Sequence, residues 1–509
     1  MRRPRAIVGL AAAAAAAGLA GSLPYWLPRQ VVALRGAIFT MVNGEEGMPV
    51  LQRPGGPADF LRVYADPAAN GRSHGAGLSD LFWYWLAPGP EVHQEHLEPG
   101  PRYDQAARTT RTILASLTKA EWAELVTRCT AKVLDEETSG EETSGERTSG
   151  ERTSGERTSK DGPVRLRDVM MTVWAEVYYE LVFREPCPRQ ARALIVGNAD
   201  DVVSALKCTR LRHMRRRDRL TRYLRGRIDA GEVPFELPGL LSRAEQAFYL
   251  QGAFFNTAVV QMSEAMAHLL LALAQHPLVQ DQVRADAGDD EYLSDVINEA
   301  MRVWPLFGIA HRITTGDIDV CPPIAAGSVV LFDYLGFHHA GGDDRAEFDP
   351  GRWQRESART MNFIPFGVSA NRPCPARGVA PVGLQAAARE VLRRFELSSA
   401  VQHTRSLGNR APVLLTPVGA PGPTPGRLAL MKLGDRWEDV SRSLAQLVLG
   451  TVMVWDARRL ALCRTYFAQH PEHLPVTTSR DATSRDATSR DSTTSRDREA
   501  GQCPAAGRR

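Results

Sequence analysis

The most informative segment of this sequence is Phe363-Ile-Pro-Phe-Gly-Val-Ser-Ala-Asn-Arg-Pro-Cys-Pro-Ala-Arg-Gly378. It places Cys374 in a loop of prolines and glycines, and a helix is predicted directly after it, from about residue 378 to residue 395. The start of a helix offers unpaired backbone N–H groups and a partial positive charge, which lower a thiol pKa and hold a thiolate. The loop therefore predicts a thiolate able to ligate a haem iron. The alternative, from these residues alone, is a buried structural cysteine in a tight turn.

Composition argues against other kinds of site. The 509 residues carry a formal net charge of +3, which gives no support to a nucleic-acid footprint. Hydrophobic residues make up 43%, which is enough to build a sizeable core. The seven cysteines include no CxxC pair and the chain has no histidine cluster at zinc spacing, so the sequence does not predict a zinc site.

Three further motifs precede the cysteine loop in a fixed order. Glu299-Ala-Met-Arg302 lies within a predicted helix over residues 291–303, where charges at i and i+3 share a face and can pair. His311-Arg312 follows with the segment 324–330, and Phe348-Asp-Pro-Gly-Arg-Trp353 comes next. A Glu-x-x-Arg pair alone occurs on many solvated helices. The prediction depends on the order and spacing of these three motifs together with the cysteine loop.

Taken together, these segments resemble the cytochrome P450 family. Phe366, Gly367, Arg372 and Cys374 take the places of the residues in the family's cysteine loop, with one extra residue between Phe366 and Cys374. The resemblance covers roughly residues 35–417. It implies a mainly α fold with a small β portion, carrying haem b with Cys374 as the axial ligand of the iron and Phe366 beside the cofactor.

The resemblance also implies which residues hold the haem propionates. Arg312 and Arg372 match family positions for that task, and the planar fork of arginine suits carboxylates. The family usually adds an arginine from an earlier helix, but residues 89–96 occupy that region without one. His93 or His96 is therefore the expected donor, unless both are surface histidines.

A structural ion-pair cluster is the next implication of the resemblance. In the family, the arginine of the turn before the cysteine loop joins the Glu-x-x-Arg pair, and the matching residues are Glu299, Arg302 and Arg352. A buried cluster of this kind fixes the fold around the loop rather than adding net stability.

The apolar run over residues 243–275 resembles the family's central helix above the haem. There the family carries an acid–alcohol pair that delivers protons, and the matching catalytic positions are Asn256 and Thr257. An amide cannot relay a proton as a carboxylate does, although it can hydrogen-bond. Phe254 replaces the usual glycine, and with Phe255 it is expected to shape an apolar pocket. The alternative is that Asn256 and Thr257 only hydrogen-bond within the helix.

The resemblance implies an enzyme, and three functions stay open. The leading prediction is a monooxygenase that inserts oxygen from dioxygen into a small apolar substrate, with electrons from a ferredoxin or a flavoprotein reductase. Because Asn256 replaces the acid, the second is a peroxygenase or rearranging enzyme that consumes hydroperoxide. The third is a haem-binding partner protein without turnover.

Residues outside the resemblance form three kinds of segment. Residues 1–34 hold a basic head and an apolar run over residues 6–23, typical of a membrane anchor, a signal segment or an alanine-rich packed helix. We expect a cytoplasmic protein, associated with a membrane through residues 6–23 where that run is an anchor. Residues 418–475 are predicted as a C-terminal helical appendage, with a proline-rich linker over residues 411–427 and helix over residues 436–468.

Two low-complexity repeats are predicted to be disordered. They lie at residues 137–160 and in the tail over residues 476–509, and their repeated units contain no apolar residue larger than alanine. Such units cannot offset their ordering entropy by burial. The first repeat lies between predicted helices over residues 112–134 and 164–183, so it is interpreted as an expanded surface loop.

Overall fold

The computed structural model describes residues 21–35, 37, 56–139, 162–286 and 290–475. This part is mainly helical with a small β portion, which confirms the fold class expected from the resemblance. The helices are α1 (residues 21–35), α2 (Pro57–Ala65), α3 (Gly77–Leu86), α4 (Pro101–Leu114), α5 (Lys119–Ser139), α6 (Leu166–Phe183), α7 (Arg189–Leu206), α8 (Met214–Asp229), α9 (Arg243–Gly252), α10 (Val259–Gln275), α11 (Pro277–Ala285), α12 (Asp290–Val303), α13 (Tyr334–His338), α14 (Ala380–Arg394), α15 (Pro425–Leu460) and α16 (Leu462–Gln469). The strands are β1 (Val164–Arg165), β2 (Ile309–Ile313), β3 (Val329–Asp333), β4 (Phe395–Ser398) and β5 (Pro412–Pro417).

The β portion consists of two small antiparallel sheets. One has the strand order β1-β5-β4, with Val164 opposite Val413. The other is the β2–β3 hairpin, in which Arg312 lies opposite Val330. The predicted linker over residues 411–427 is therefore partly a strand, β5. Its prolines stand at the first and last positions of the strand, where a missing N–H is tolerated.

The core lies where α10 packs against α6, with α5, α12 and α14 around them. Trp122 and Trp174 are fully buried there. Gly383 of α14 makes this approach possible, because a Cβ at that position would meet Trp174 Cη2 at 2.9 Å and Trp122 Nε1 at 3.0 Å. The close packing seats α14 directly on the core, and with it the cysteine loop that precedes α14.

One continuous helix runs from Arg243 to Gln275, through α9, a π-helical turn over Ala253–Ala258, and α10. In the part of the chain that the structure describes, it is the one helix long and apolar enough to cross a membrane, yet 72% of its most apolar window is buried inside the protein. It is thus the core helix that the sequence suggested. Its π-helical turn contains Asn256 and Thr257, the two predicted catalytic residues, and such turns are frequent at functional sites.

The predicted helix over residues 112–134 is two helices, α4 and α5. A capping box separates them: the Glu121 N–H donates to Thr118 Oγ1 at 3.2 Å, and the Thr118 N–H donates to the Glu121 carboxylate at 2.8 Å. At its other end α5 continues to Ser139, so the first residues of the predicted disordered repeat are helical. Residues 140–160 of that repeat lie outside the described residues.

α15 and α16 pack closely on the rest of the protein. Asp435 of α15 is buried and accepts a hydrogen bond from Asn409 Nδ2 at 2.8 Å. The Cys463 N–H in α16 donates to Asp80 Oδ1 of α3 at 2.9 Å. α15 begins at Pro425, earlier than predicted, and ends before Ala461, whose φ of +44° breaks the helix. The C-terminal helices therefore pack against α3 and against the segment before β5.

The N-terminal apolar run lies almost wholly outside the described residues, and only residues 21–23 of it belong to α1. α1 packs beside α15, where Arg436 Nη1 donates to the Tyr25 hydroxyl at 2.6 Å and Arg35 Nη1 donates to Gln446 Oε1 at 3.1 Å. Membrane association through residues 6–23 stays a prediction. The predicted disordered tail over residues 476–509 also lies outside the described residues.

Candidate functional site

Cys374 carries a free thiol in the loop that leads into α14. Its N–H donates to Phe366 O at 2.9 Å, which closes the loop. Burial raises the pKa of the Cys374 thiol to about 11, while hydrogen bonds from the N–H groups of Ala376 and Arg377 act in the opposite direction. These donors belong to a turn, because α14 begins only at Ala380. With its pKa raised in this way, the half-buried thiol would be anionic at neutral pH only with a cation bound to the sulfur.

The lengthened cysteine loop is anchored on α2. Gly367 has φ +70°, and a Cβ there would meet the Tyr64 hydroxyl at 2.9 Å, so the position requires glycine. Asn371, in the lengthened part of the loop, is buried and donates through Nδ2 to the carbonyl oxygens of Tyr64 at 3.0 Å and Ala69 at 3.1 Å. The extra residue thus leaves the loop fixed.

Three arginines from distant parts of the chain converge beside this loop. Arg372 belongs to the loop, Arg312 to β2, and Arg72 to the segment after α2. Burial lowers the pKa of Arg372 to about 10, although the nearby Tyr103 acts in the opposite direction. Burial and the charges of Arg312 and Arg372 lower the pKa of Arg72 as well. The carboxylates of Glu98 and Asp104 act on Arg372 in the opposite direction, so they offset part of this positive charge, and the remainder favours an anionic ligand.

Several guanidinium nitrogens in this cluster are buried without a hydrogen-bond partner. They are Nε of Arg72, Nε of Arg312, and Nε and Nη2 of Arg372. The bonds that do form go to neutral acceptors: Arg312 Nη2 donates to the Tyr64 hydroxyl at 3.1 Å, and Arg372 Nη1 donates to Leu97 O at 2.6 Å. A buried donor without a partner costs about 1–3 kcal/mol. Carboxylates would satisfy these donors with charge-assisted bonds.

Arg72 is held in the cluster by a pair of backbone hydrogen bonds that no sequence pattern predicts. Gly71 N donates to Ile313 O at 2.9 Å, and Ile313 N donates to Gly71 O at 2.8 Å. A Cβ at Gly71 would meet Ile313 O at 2.7 Å, so glycine is needed for this approach. The bridge brings Arg72 beside Arg312. Arg72, Tyr64 and Asn371 have no sequence signal that marks them as site residues, apart from the glycine before Arg72.

The predicted ion pair of Glu299 and Arg302 forms in a fully buried position. Arg302 donates to the two carboxylate oxygens at 2.7 and 2.8 Å, and both side chains are 0% exposed. Arg352 lies farther away, with Nε 3.8 Å from Glu299 Oε1, and pairs with Asp344 at 2.9 Å. Trp353 Nε1 donates to Glu299 at 3.0 Å. The structure brings the three predicted residues together, with Asp344 as an added partner.

Thr257 lies in the π-helical turn, and its hydroxyl bonds a histidine. Thr257 Oγ1 is 2.7 Å from Nε2 of His93, whose Nδ1 is buried without a partner. Burial lowers the pKa of His93, and the Glu95 carboxylate acts in the opposite direction. Glu95 also acts on the thiol of Cys374, raising its pKa. Glu95 therefore acts on both His93 and the sulfur, and Asn256 is adjacent to Thr257 in the same turn.

This position of His93 differs from the one that the sequence suggested. Its Nε2 is bonded to Thr257 and is not turned to the arginines. Burial and the charges of His93, His311, Arg72 and Arg312 lower the pKa of His96 well below its ordinary value, which places His96 with the arginine cluster. The Nδ1 of His96 is buried and unpartnered. Of the two histidines, His96 is the one near the anion-binding groups.

Phe254 and Phe255 also lie differently from expectation. Both are fully buried, with the Phe254 ring 6.4 Å from that of Tyr178 and the Phe255 ring 6.2 Å from that of Phe183. They therefore fill the interface between the helix over Arg243–Gln275 and α6. A role in shaping the substrate pocket stays a prediction.

Comparison with known proteins points to one family. The family model described as "Cytochrome P450" matches residues 244–420. A putative cytochrome P450 135B1 of Mycobacterium tuberculosis (strain ATCC 25618 / H37Rv) is 30% identical over 166 residues, which cover 30% of this chain and 34% of that protein. The chain thus aligns with about a third of the length of the curated relatives that it matches.

Two solved structures show the extent of the shared fold. A mutant of cytochrome P450SP alpha (CYP152B1) has a TM-score of 0.56 at 15% identity, covering 72% of this chain and 91% of that chain. The retinoic acid-bound cyanobacterial CYP120A1 has a TM-score of 0.55 at 15% identity, covering 72% of this chain and 89% of that chain. At this identity, the likeness is one of fold.

Proposed function

The chain belongs to the cytochrome P450 family, and on that basis we propose that it is a haem-thiolate monooxygenase acting on a small apolar substrate. One observation carries the proposal: three arginines that each hold at least one buried nitrogen without a hydrogen-bond partner converge beside the loop of Cys374. Family membership implies a haem iron held by a cysteine, and Cys374 is the residue at the loop position of that ligand.

The residues present fit this cofactor. The unpartnered nitrogens of Arg72, Arg312 and Arg372 match the need of two propionates for cationic donors. The pKa of the Cys374 thiol is raised by burial, and a coordinating cation would overcome this because it deprotonates a thiol outright. In the proposal, the arginines therefore hold the propionates and Cys374 holds the iron.

In the proposed reaction, Cys374, the arginines and Thr257 have separate roles. When bound, the haem iron supplies the binding and reductive activation of dioxygen. The Cys374 thiolate donates electron density to the metal, and the arginines fix the orientation of the ring. Thr257 would hold a proton at Oγ1, which is bonded to His93 Nε2 at 2.7 Å.

Removing one arginine is expected to weaken haem retention. Arg72→Gln shortens a buried donor, and a charge-assisted hydrogen bond contributes about 1.5–3 kcal/mol, so we expect the haem dissociation constant to rise roughly 10–100-fold. Haem transfer to an excess of an apo-haem acceptor protein measures this. Arg359→Gln is the matched control, because Arg359 is exposed on the surface. Equal haem retention in the two variants would remove Arg72 from the site.

We further propose that a ferredoxin or a flavoprotein reductase supplies the electrons. Arg377 is exposed three residues after Cys374, and Arg359 is exposed in the segment before the loop. Exposed positive charge near the sulfur suits a partner with an acidic docking face, since complementary charges steer association.

The source of oxygen separates the proposed function from its alternatives. The haem-loaded protein is incubated with a panel of apolar compounds, once with dioxygen, NAD(P)H, ferredoxin and reductase, and once with hydrogen peroxide alone. We expect product in the first arm, with isotopic label from ¹⁸O₂.

A second candidate is favoured by Asn256, which cannot relay a proton as the family's acid does. Product formed with peroxide but never with dioxygen would support a hydroperoxide-using enzyme and overturn the monooxygenase. Compounds that shift the haem spectrum but yield product in neither arm would support a haem-binding protein without turnover.

A further inference from the structure

The hydroxyl of Thr257 has an imidazole partner where the family has an acid. Asn256 occupies the position of the family's acid, but its side chain is an amide, which holds no transferable proton at neutral pH. The Thr257 hydroxyl is bonded instead to His93 Nε2 at 2.7 Å. The imidazole is 4% exposed, so bulk water does not compete for this bond. Imidazole is the side chain most often used for proton transfer.

The segment that carries His93 is seated tightly on the distal helix. Gly89 has φ +79°, and a Cβ there would meet Phe248 Cβ at 2.3 Å. Farther along, a Cβ at Gly252 would meet His93 Cδ2 at 3.1 Å. The His93 carbonyl accepts the N–H groups of His96 and Leu97, at 2.8 and 2.9 Å. Two glycines and a hydrogen-bonded turn therefore set the position of the imidazole.

An exposed carboxylate lies near this imidazole. Glu95 is exposed, accepts a hydrogen bond from Gln261 Nε2 at 3.3 Å, and acts electrostatically on His93. Gln261 lies one helical turn beyond Thr257, so Glu95 is held along the same helix. His96 is the other titratable group facing His93, with the ring centroids 5.5 Å apart.

We propose that His93 is the residue that supplies protons to Thr257, in place of the acid missing at Asn256; this rests on the haem-thiolate function proposed above. Thr257 gives its hydroxyl proton to the distal site and takes the proton from His93 Nε2. A proton from solvent binds Nδ1, the ring nitrogen left without a partner. Each step breaks one N–H or O–H bond and forms another, and no electron is transferred.

His93→Gln tests the proposal, because the amide keeps an N–H donor but cannot pass a proton through. With dioxygen and reductase, we expect product formed per NAD(P)H consumed to fall at least 10-fold, since positioned proton transfer contributes about 10²–10⁴-fold. Turnover with hydrogen peroxide, which already carries its protons, is expected to stay within twofold. His403→Gln, at another buried imidazole, is the control and is expected to leave both values unchanged.

A spectroscopic readout is independent of turnover. The C–O stretching frequency of the reduced carbon monoxide complex reports hydrogen bonding on the distal side, and we expect it to shift in His93→Gln but not in His403→Gln. Unchanged coupling and an unchanged frequency would overturn the role of His93 while leaving the monooxygenase intact. A wild-type protein without turnover that nevertheless shows the His93-dependent shift would overturn the function and leave the hydrogen bond in place.

Gly252→Ala provides a second test that removes no titratable group. The added Cβ would push on the His93 ring, and alanine is the better helix former, so the variant is expected to fold. We expect coupling to dioxygen to fall roughly threefold while peroxide turnover is kept, because displacement of the ring weakens proton transfer without abolishing it. Coupling at the wild-type level with a measurably displaced ring would contradict the proposal.

Discussion

Cys374→Ser is expected to abolish the thiolate signature of the reduced carbon monoxide complex and to remove catalysis. The serine hydroxyl is not ionised at neutral pH and cannot replace the sulfur anion as a donor of electron density to iron. The loop itself should survive, because the backbone bond from residue 374 to Phe366 O and the anchoring of Asn371 do not involve the sulfur. The measurement is the carbon monoxide difference spectrum together with the haem-to-protein ratio.

Cys208→Ser is the matched control for this prediction. Cys208 is also a buried free thiol, but it packs against Met453 and Ala457 of α15, far in sequence from the cysteine loop. Its variant should keep the thiolate spectrum even where stability falls. A protein whose haem spectrum is the same before and after replacement of Cys374 would place the iron ligand elsewhere and remove the basis of the oxidative function.

The parts of the site that could be predicted are those whose signal is local in sequence. Arg372 and Cys374 are two residues apart in one loop, and Glu299 and Arg302 are one helical turn apart, so the spacing already fixes which side chains meet. The central helix was predictable for the same reason, since its long apolar run leaves few alternatives. The π-helical turn within it has no equally plain sequence signal.

The missed parts depend on contacts between distant segments. Arg72 reaches Arg312 only because Gly71 bridges to Ile313, a contact spanning more than two hundred residues. His93 was predicted as a haem-binding residue, but its hydrogen-bond partner depends on how residues 89–100 fold against the helix over Arg243–Gln275. No local pattern distinguishes a propionate donor from a partner of Thr257 at that position.

Arg302→Met is expected to be among the most destabilising single replacements in this protein. Glu299 would stay fully buried and keep only Arg352, 3.8 Å away, as a charged partner, and removal of one partner from a buried pair costs about 3–5 kcal/mol. Two further acceptors would lose their donor, the carbonyl oxygens of Arg345 at 2.6 Å and Glu347 at 3.1 Å. The measurement is the urea concentration at half-unfolding, followed by far-ultraviolet circular dichroism.

The loss of stability should extend to the cysteine loop, because two hydrogen bonds connect the loop with Arg302. Arg302 Nη1 donates to His338 O at 3.4 Å, and His338 Nε2 accepts the Ile364 N–H at 3.3 Å. Arg393→Met is the matched control: it too pairs with a glutamate at i−3, but its side chain is 66% exposed, and such a pair contributes about 0–1 kcal/mol. In Glu299→Gln/Arg302→Met, the amide still accepts the Trp353 N–H without a buried charge, so more than half of the lost stability should return. If the double variant were no more stable than Arg302→Met, the cost would come from lost packing and not from the unpaired carboxylate.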